Sequence, residues 1–364
     1  MTLCLVLCTA GAFAQPTATL VQHSFDKSEE GWTGIGANCR ASITTQSSFN
    51  GNVALKFEYD LRPKAMGLLM WPAPEGALTN ASTFRFWVNA DHATSLGFIV
   101  QERGGGRYIA MFSVPAGKWQ KVEIARSDLV LSTGKDDPKD PNGQLDTDRI
   151  EAVGLGDLAQ FVAQSGSPEM AALLGIELGP RTLLLDSFSV TTEKLPPSVV
   201  VGPKEVRLDT FARPQVAWMA TCPVQIVRGE GNAQAALAAT YRQAQRRLTA
   251  LVRPVPAGTL KGMQKLAFSA ESQVPALLLI QVEEAGGGKF NTTVEIPKGG
   301  SPQPITVNFE NLNSADDSTV KDRGVKPDLI SQVVLIDATG LIGAPAEADN
   351  TLVIRNLRAL ADTP

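Results

Sequence analysis

Two glycine triplets are the first places where this chain could do chemistry. Residues 101–112 read QERGGGRYIAMF, three consecutive glycines flanked by arginines. Glycine lets backbone N–H groups close on an anion, so such a loop can cradle phosphate; it can equally turn the chain between two strands. Residues 283–294 read EEAGGGKFNTTV and align with the first stretch without a gap. Glu102 pairs with Glu284, Arg107 with Lys289 and Tyr108 with Phe290, and each triplet is followed by a matching proline, Pro115 and Pro297. An apolar run precedes each triplet and an alternating run follows it. Neither a GxxxxGK[ST] pattern nor a strand–GxGxxG–helix setting is present, so both triplets are expected to be hairpin loops.

Other chemistries find little support. The acidic stretch DDPKDPNGQLDTD, 136–148, resembles a calcium loop. With Gly143 as the glycine of an EF-hand, however, the first ligand position falls on Pro138, which has no side-chain oxygen. It reads as a solvated loop with Asp146 and Asp148 capping a turn. His23 and His92 are the only histidines, and neither has a metal-ligand neighbour at helical or hairpin spacing. No GxSxG elbow and no ExDxxE-like strand signature occurs, and the chain is expected not to be an enzyme.

The elements that position these loops come in two copies. Phe25 to Trp32 repeats as Phe211 to Trp218, FRFWVNAD matches LAFSAES, and LDTDRIEAVGL matches VKPDLISQVVL. The copies close with TLLLDSFSV and TLVIRNLRA. Runs such as VALKFEY, FRFWV, YIAMF and KVEIA alternate with period two between Gly, Pro, Asn and Asp, the pattern of strands. AQAALAATYRQAQRRLTAL is helical by composition, but it aligns with VALKFEYDL and is therefore read as strand. A helix is expected at 167–175, in an insertion that the second copy lacks. The fold class is all-β, two tandem antiparallel sandwiches. Domain one spans 20–193 and domain two 205–361, joined at 194–204 by a proline-rich linker read as stiff.

The first 14 residues, with an apolar run and Ala12-Phe13-Ala14 before Gln15, fit a cleavable signal peptide, although a basic n-region is missing. The protein is expected outside the cytoplasm: secreted, periplasmic or on the cell surface. A net charge of −4 on 364 residues, without basic runs, argues against nucleic acid, and no other run is apolar enough to span a bilayer. Cys39 and Cys222 fall at matching positions and are read as free thiols.

The segments FDKSEEGW, FRFWVNAD, GKWQKVEIARSDL and LLLDSFSV resemble those of carbohydrate-binding modules with the galactose-binding-like jelly roll; complex I intermediate-associated protein-like domains share the outline. The resemblance covers most of both copies. It implies a non-catalytic module and, in many relatives, one structural calcium between the first strand region and the last strand. That carries over to Asp26 and Asp186 here, with Glu29 and Glu30 as further oxygen donors. Domain two has Ala212 and Arg355 at the two aspartate positions, so no calcium is expected there. The alternative is that Asp26 and Asp186 are turn residues.

Aromatic side chains carry the binding expectation, because sugar C–H faces pack on rings while hydroxyls seek charged or amide partners. Trp32, Trp218 and Trp119 read as core. Trp87 differs: Phe84, Phe86 and Val88 alternate inward, so Arg85 and Trp87 point outward, where domain two has Ala267 and Ser269. The same parity turns Gln101, Arg103 and Arg107 outward, giving one expected ligand face of Trp87, Arg85, Gln101, Arg103 and Arg107. Trp71, beside Pro72, is a second candidate platform in a loop. Either this face holds a glycan or polysaccharide, mainly through domain one, or it packs under the insertion or on domain two. In the second case the protein is a structural or interaction module of the envelope with no sugar site.

Overall fold

The computed structural model describes residues 17–133, 137–164, 168–228, 235–299, 301–342 and 347–362. The expected signal peptide at 1–14 lies outside them. Domain one contains β1 (Thr19–His23), β2 (Thr33–Ile35), β3 (Cys39–Thr44), β4 (Ala54–Leu61), β5 (Leu68–Pro72), β6 (Thr83–Ala90), β7 (Thr94–Glu102), β8 (Arg107–Val114), β9 (Gln120–Ala125), β10 (Val130–Leu131), β11 (Ile150–Asp157) and β12 (Gly179–Thr191). One sheet runs β3-β4-β12-β6-β9, with β1 also on β12; the other runs β10-β8-β7-β11-β5-β2. All pairs are antiparallel.

Domain two contains β13 (Val200–Val201), β14 (Glu205–Arg207), β15 (Met219–Ala220), β16 (Val224–Val227), β17 (Ala236–Gln243), β18 (Thr249–Pro254), β19 (Lys265–Ser272), β20 (Ala276–Glu284), β21 (Lys289–Ile296), β22 (Gln303–Asn308), β23 (Asn313–Ser314), β24 (Ile330–Asp337) and β25 (Ala348–Leu360). Its sheets run β16-β17-β25-β19-β22 and β23-β21-β20-β24-β18-β15. With β14 on β25 in the place of β1 on β12, these orders reproduce those of domain one, and β13, paired with β14, is an addition. The helical composition of 236–243 yields to pairing of β17 with β16 and β25, which satisfies its backbone from both sides.

Alternation does the folding work. In β4 and β6 every second side chain is buried, and the inward rows interleave into one apolar cluster per domain. Trp32 and Trp218 sit at equivalent places in the two cores, 1% and 0% exposed. Each Nε1–H needs an acceptor: Trp32 donates to His23 Nδ1 (2.9 Å) and Trp218 to Asp209 Oδ2 (2.7 Å). Both glycine triplets close hairpins, β7–β8 and β20–β21. Two short helices, α1 (Ala159–Gln164) and α2 (Pro168–Leu173), follow β11. Domain two retains one turn of helix at the same point, α3 (Thr339–Ile342), so the insertion enlarges an existing feature.

The two sandwiches are bonded to each other. Ser113 N–H donates to the Val216 carbonyl (3.0 Å), and Ser95 Oγ both accepts from Ala220 N–H (2.8 Å) and donates to its carbonyl (2.9 Å). Gln215 closes on the β9 edge through both backbone groups of Glu123 (3.1 and 2.7 Å). Arg213 pairs with Asp128 at 3.0 Å, nearly buried. The connector is tied down as well: Ser198 donates to Asp128 (2.7 Å) and accepts from Arg253 (3.1 Å), and β13 pairs with β14.

Candidate functional site

The expected single face divides in two. β6 lies in one sheet of domain one and β7 and β8 in the other, so their outward rows lie on opposite sides of the sandwich. Side-chain parity gives inward or outward, and a strand that crosses between sheets keeps its parity while changing face. Trp87 and Arg85 therefore share one face; Gln101 and Arg107 share the opposite one, and Arg103 sits at its hairpin rim.

On the first face, Trp87 is half-buried beneath Phe49, a residue the sequence reading passed over. The two rings stack with centroids 3.4 Å apart and planes 12° apart. Trp119 meets Phe49 edge-on at 6.3 Å and donates to Ser47 Oγ (3.3 Å); it is half-buried on this face rather than in the core. Phe49 remains 44% exposed. An aromatic in the turn-forming run SSFNGN was a usable signal for an exposed ring; its stacking partner was not legible.

The loop that carries Phe49 is pinned by Asp186. Its Oδ2 accepts the backbone N–H groups of Phe49 (2.8 Å) and Asn50 (2.9 Å), and Oδ1 accepts the Ser187 hydroxyl (3.0 Å). Asp26 is exposed beside Gly51 of the same loop. This arrangement gives Asp186 the anchoring role of a turn residue, and the lone pairs left on its oxygens stay compatible with the calcium expected at Asp26 and Asp186. It also gives a reason for the joint loss in domain two, where Arg355 pairs with Glu271 (2.9 Å) and has no acceptor to hold such a loop.

Arg85 is committed as well: to Glu123 (3.1 Å), Glu193 (2.7 Å) and Thr191 (3.3 Å). Burial by itself would raise the Glu123 carboxyl, but Lys121 and Arg85 together outweigh it and hold it low. Lys121 stands directly across from Trp87 and keeps its amine partly exposed beside the rings.

Among the described residues the opposite face offers no aromatic platform. Gln101 Nε2 caps the hairpin carbonyls of Glu102, Gly105 and Gly106 (3.1–3.4 Å), and Arg107 reaches Gln101 (3.3 Å) and Asp137 (3.1 Å). Arg103 pairs with Glu75 at the exposed rim (2.8 Å). Ile109 and Met111 lead from there into a groove of about 530 Å³ against Pro254, Glu283, Ser331 and Gln332 of domain two. Trp71 is a correction: it lies in β5, not a loop, and is 7% exposed, packed edge-on against His23 in the core. Its ring has no face to offer a ligand.

No family model and no curated protein matches the chain. Among solved structures it is similar to a family 11 carbohydrate-binding module from Clostridium thermocellum in complex with a β-1,3-1,4-mixed-linked tetrasaccharide, at 14% identity and a TM-score of 0.37, covering 49% of this chain and 96% of that one. It is also similar to the N-terminal tandem of two family 22 modules from Paenibacillus barcinonensis, at 14% identity and a TM-score of 0.31, covering 96% and 99%. An exo-β-agarase matches 48% of this chain over 24% of its own length, at 18% identity and a TM-score of 0.33. None of these scores reaches one half, so the fold stands on the sheets themselves: two tandem antiparallel β-sandwich modules.

Proposed function

We propose that this protein is a non-catalytic carbohydrate-binding protein that works outside the cytoplasm and holds a glycan on the Phe49–Trp87–Trp119 face of domain one. The observation that carries the reading is the stacked pair outside the core. Phe49 presents a ring 44% exposed, held flat by Trp87 beneath it and fixed by Asp186 through its backbone. A rigid ring of this kind binds a sugar face without losing side-chain freedom, and Lys121 and the Arg85–Glu123 pair supply polar partners for hydroxyls around it. Domain two has Ser269 and Pro302 where domain one has Trp87 and Trp119, and it serves as a bonded support. Export rests on the Ala12-Phe13-Ala14 signal.

Glycan-array screening of the full chain, followed by titration of the best ligand, tests this. Phe49→Ala should weaken binding by about ten- to hundredfold, the effect of truncating an aromatic anchor, with an unchanged fold. Retention of no glycan, or equal binding by wild type and Phe49→Ala, would remove the reading.

A further inference from the structure

On the side of domain one away from Phe49, the junction with domain two leaves an open groove of about 530 Å³. Its two walls differ in chemistry. Domain one supplies an apolar wall: Ile109 and Met111 face outward from β8, and Val130 of β10 stands directly across from Ile109. All three are half-buried, and Pro254 of domain two continues the wall. None of these four side chains belongs to either core cluster.

Domain two supplies a polar wall that is organised in advance. Glu283 of β20 stands across from Gln332 of β24, and its two carboxylate oxygens accept amide hydrogens from Gln281 (2.6 Å) and Gln332 (2.5 Å). A carboxylate has about four acceptor sites, so these bonds fix its plane and leave lone pairs over. The Gln332 carbonyl oxygen is a further acceptor beside them. Lys289, directly across from Glu283 on β21, offsets its charge while pairing with Asp317. At the domain one rim Arg107 is held by Gln101 and Asp137. Gly286 keeps one end of the groove open, since nothing lies within 4 Å of where its β-carbon would stand.

We propose that this groove is a second carbohydrate site, which holds an internal segment of a neutral glycan chain between the two domains. A sugar laid along it packs C–H groups on Ile109, Met111 and Val130 while its hydroxyls donate to Glu283 and Gln332. The volume falls within the range of small-molecule sites, about 300–1,000 Å³. The ligand is neutral because no lysine or arginine is among the described residues that line the groove, so a uronate would meet Glu283 with no cation to receive it. It is an internal segment because the open end at Gly286 lets the chain run on. Each domain holds only one wall, so the bonds through Ser113, Gln215 and Arg213 that join the domains also set the width of the site. The groove shares its ligand class with the Phe49 face and uses none of its residues.

Met111 supplies the test. The full chain with labelled methionine methyl groups is titrated by NMR with cellohexaose, xylohexaose, mannohexaose and maltohexaose, and with hexagalacturonate as the acidic counterpart; Met111→Leu assigns the Met111 signal. At least one neutral hexasaccharide should move that signal in wild type and equally in Phe49→Ala. Gln332→Ala and Glu283→Ala should each weaken the response about tenfold, the effect of losing one or two hydrogen bonds. Both residues are half-buried at the strand surface, and the second variant serves if the first fails to fold. The proposal is overturned if no neutral hexasaccharide moves Met111, or if both groove variants bind as wild type does. It is also overturned if Phe49→Ala abolishes the Met111 response, or if hexagalacturonate binds the groove more tightly than the neutral sugars. A Met111 response in a Phe49→Ala chain whose overall affinity is unchanged supports the groove and counts against the Phe49 platform, so the two readings fail separately.

Discussion

Asp186→Ala should cost domain one both stability and its ligand platform. Asp186 is 1% exposed and accepts three bonds, two of them from the backbone of the Phe49 loop at 2.8 and 2.9 Å. A hydrogen bond to a charged group contributes about 1.5–3 kcal/mol. The loop lies at the surface, so its freed N–H groups can turn to water, and the low end applies to each. The two backbone bonds sum to about 3 kcal/mol, or roughly 6–12 °C in the midpoint of a domain this size. Without the anchor Phe49 leaves Trp87, and affinity should fall about as far as in Phe49→Ala. Calorimetry gives the first quantity and tryptophan emission the second, since an uncovered Trp87 shifts to longer wavelength. Asp186→Asn keeps one acceptor and should fall between wild type and alanine. A midpoint within a degree of wild type, together with unchanged emission, would refute the anchoring argument.

Acid should weaken domain one through His23. Burial lowers its pKa below 6.5, with Glu30 opposing, and its Nδ1 is the acceptor for Trp32. The unfolded chain therefore takes up the proton first, so this contribution is complete above about pH 6.5 and is lost as pH falls toward the folded pKa. His23→Asn retains an acceptor without titrating; if its midpoints at pH 7.5 and pH 5 track those of wild type, His23 is not the sensor. At the domain junction, Arg213→Ala leaves Asp128 nearly buried without its cation. The cost should be about 3 kcal/mol, at the low end of the range because Ala125 N–H and Ser198 still donate to Asp128. Two separated unfolding transitions in calorimetry are expected where wild type shows closer coupling; an unchanged profile would count against the pair as a tether.

Much of the architecture was legible because it is written in local alternation. Period two in VALKFEY and FRFWV reports which side chains face inward, and the internal repeat transfers that reading to 236–243 against its helical composition. The hairpins at Gly104–Gly106 and Gly286–Gly288 were readable for the same reason: a turn is a property of a few adjacent residues. The core role of Trp32 and Trp218 followed from their recurrence at matching positions.

The site was legible only in fragments. Trp87 is outward, as its parity requires, but parity is blind to which sheet a strand joins, so Gln101, Arg103 and Arg107 belong to the far side of the sandwich. Trp71 read as a loop residue because Pro72 follows it, yet pairing of β5 with β11 carries it into the core. Two facts were settled by tertiary structure alone: Phe49 covers Trp87, and Asp186 holds the Phe49 loop from 136 residues away. The sequence by itself determined the strands, their inward faces and their duplication, since those depend on the order of neighbours along the chain. Which aromatic rings meet, and which loop a buried carboxylate holds, depends on how two sheets close over one another, and distance along the chain carries no record of that.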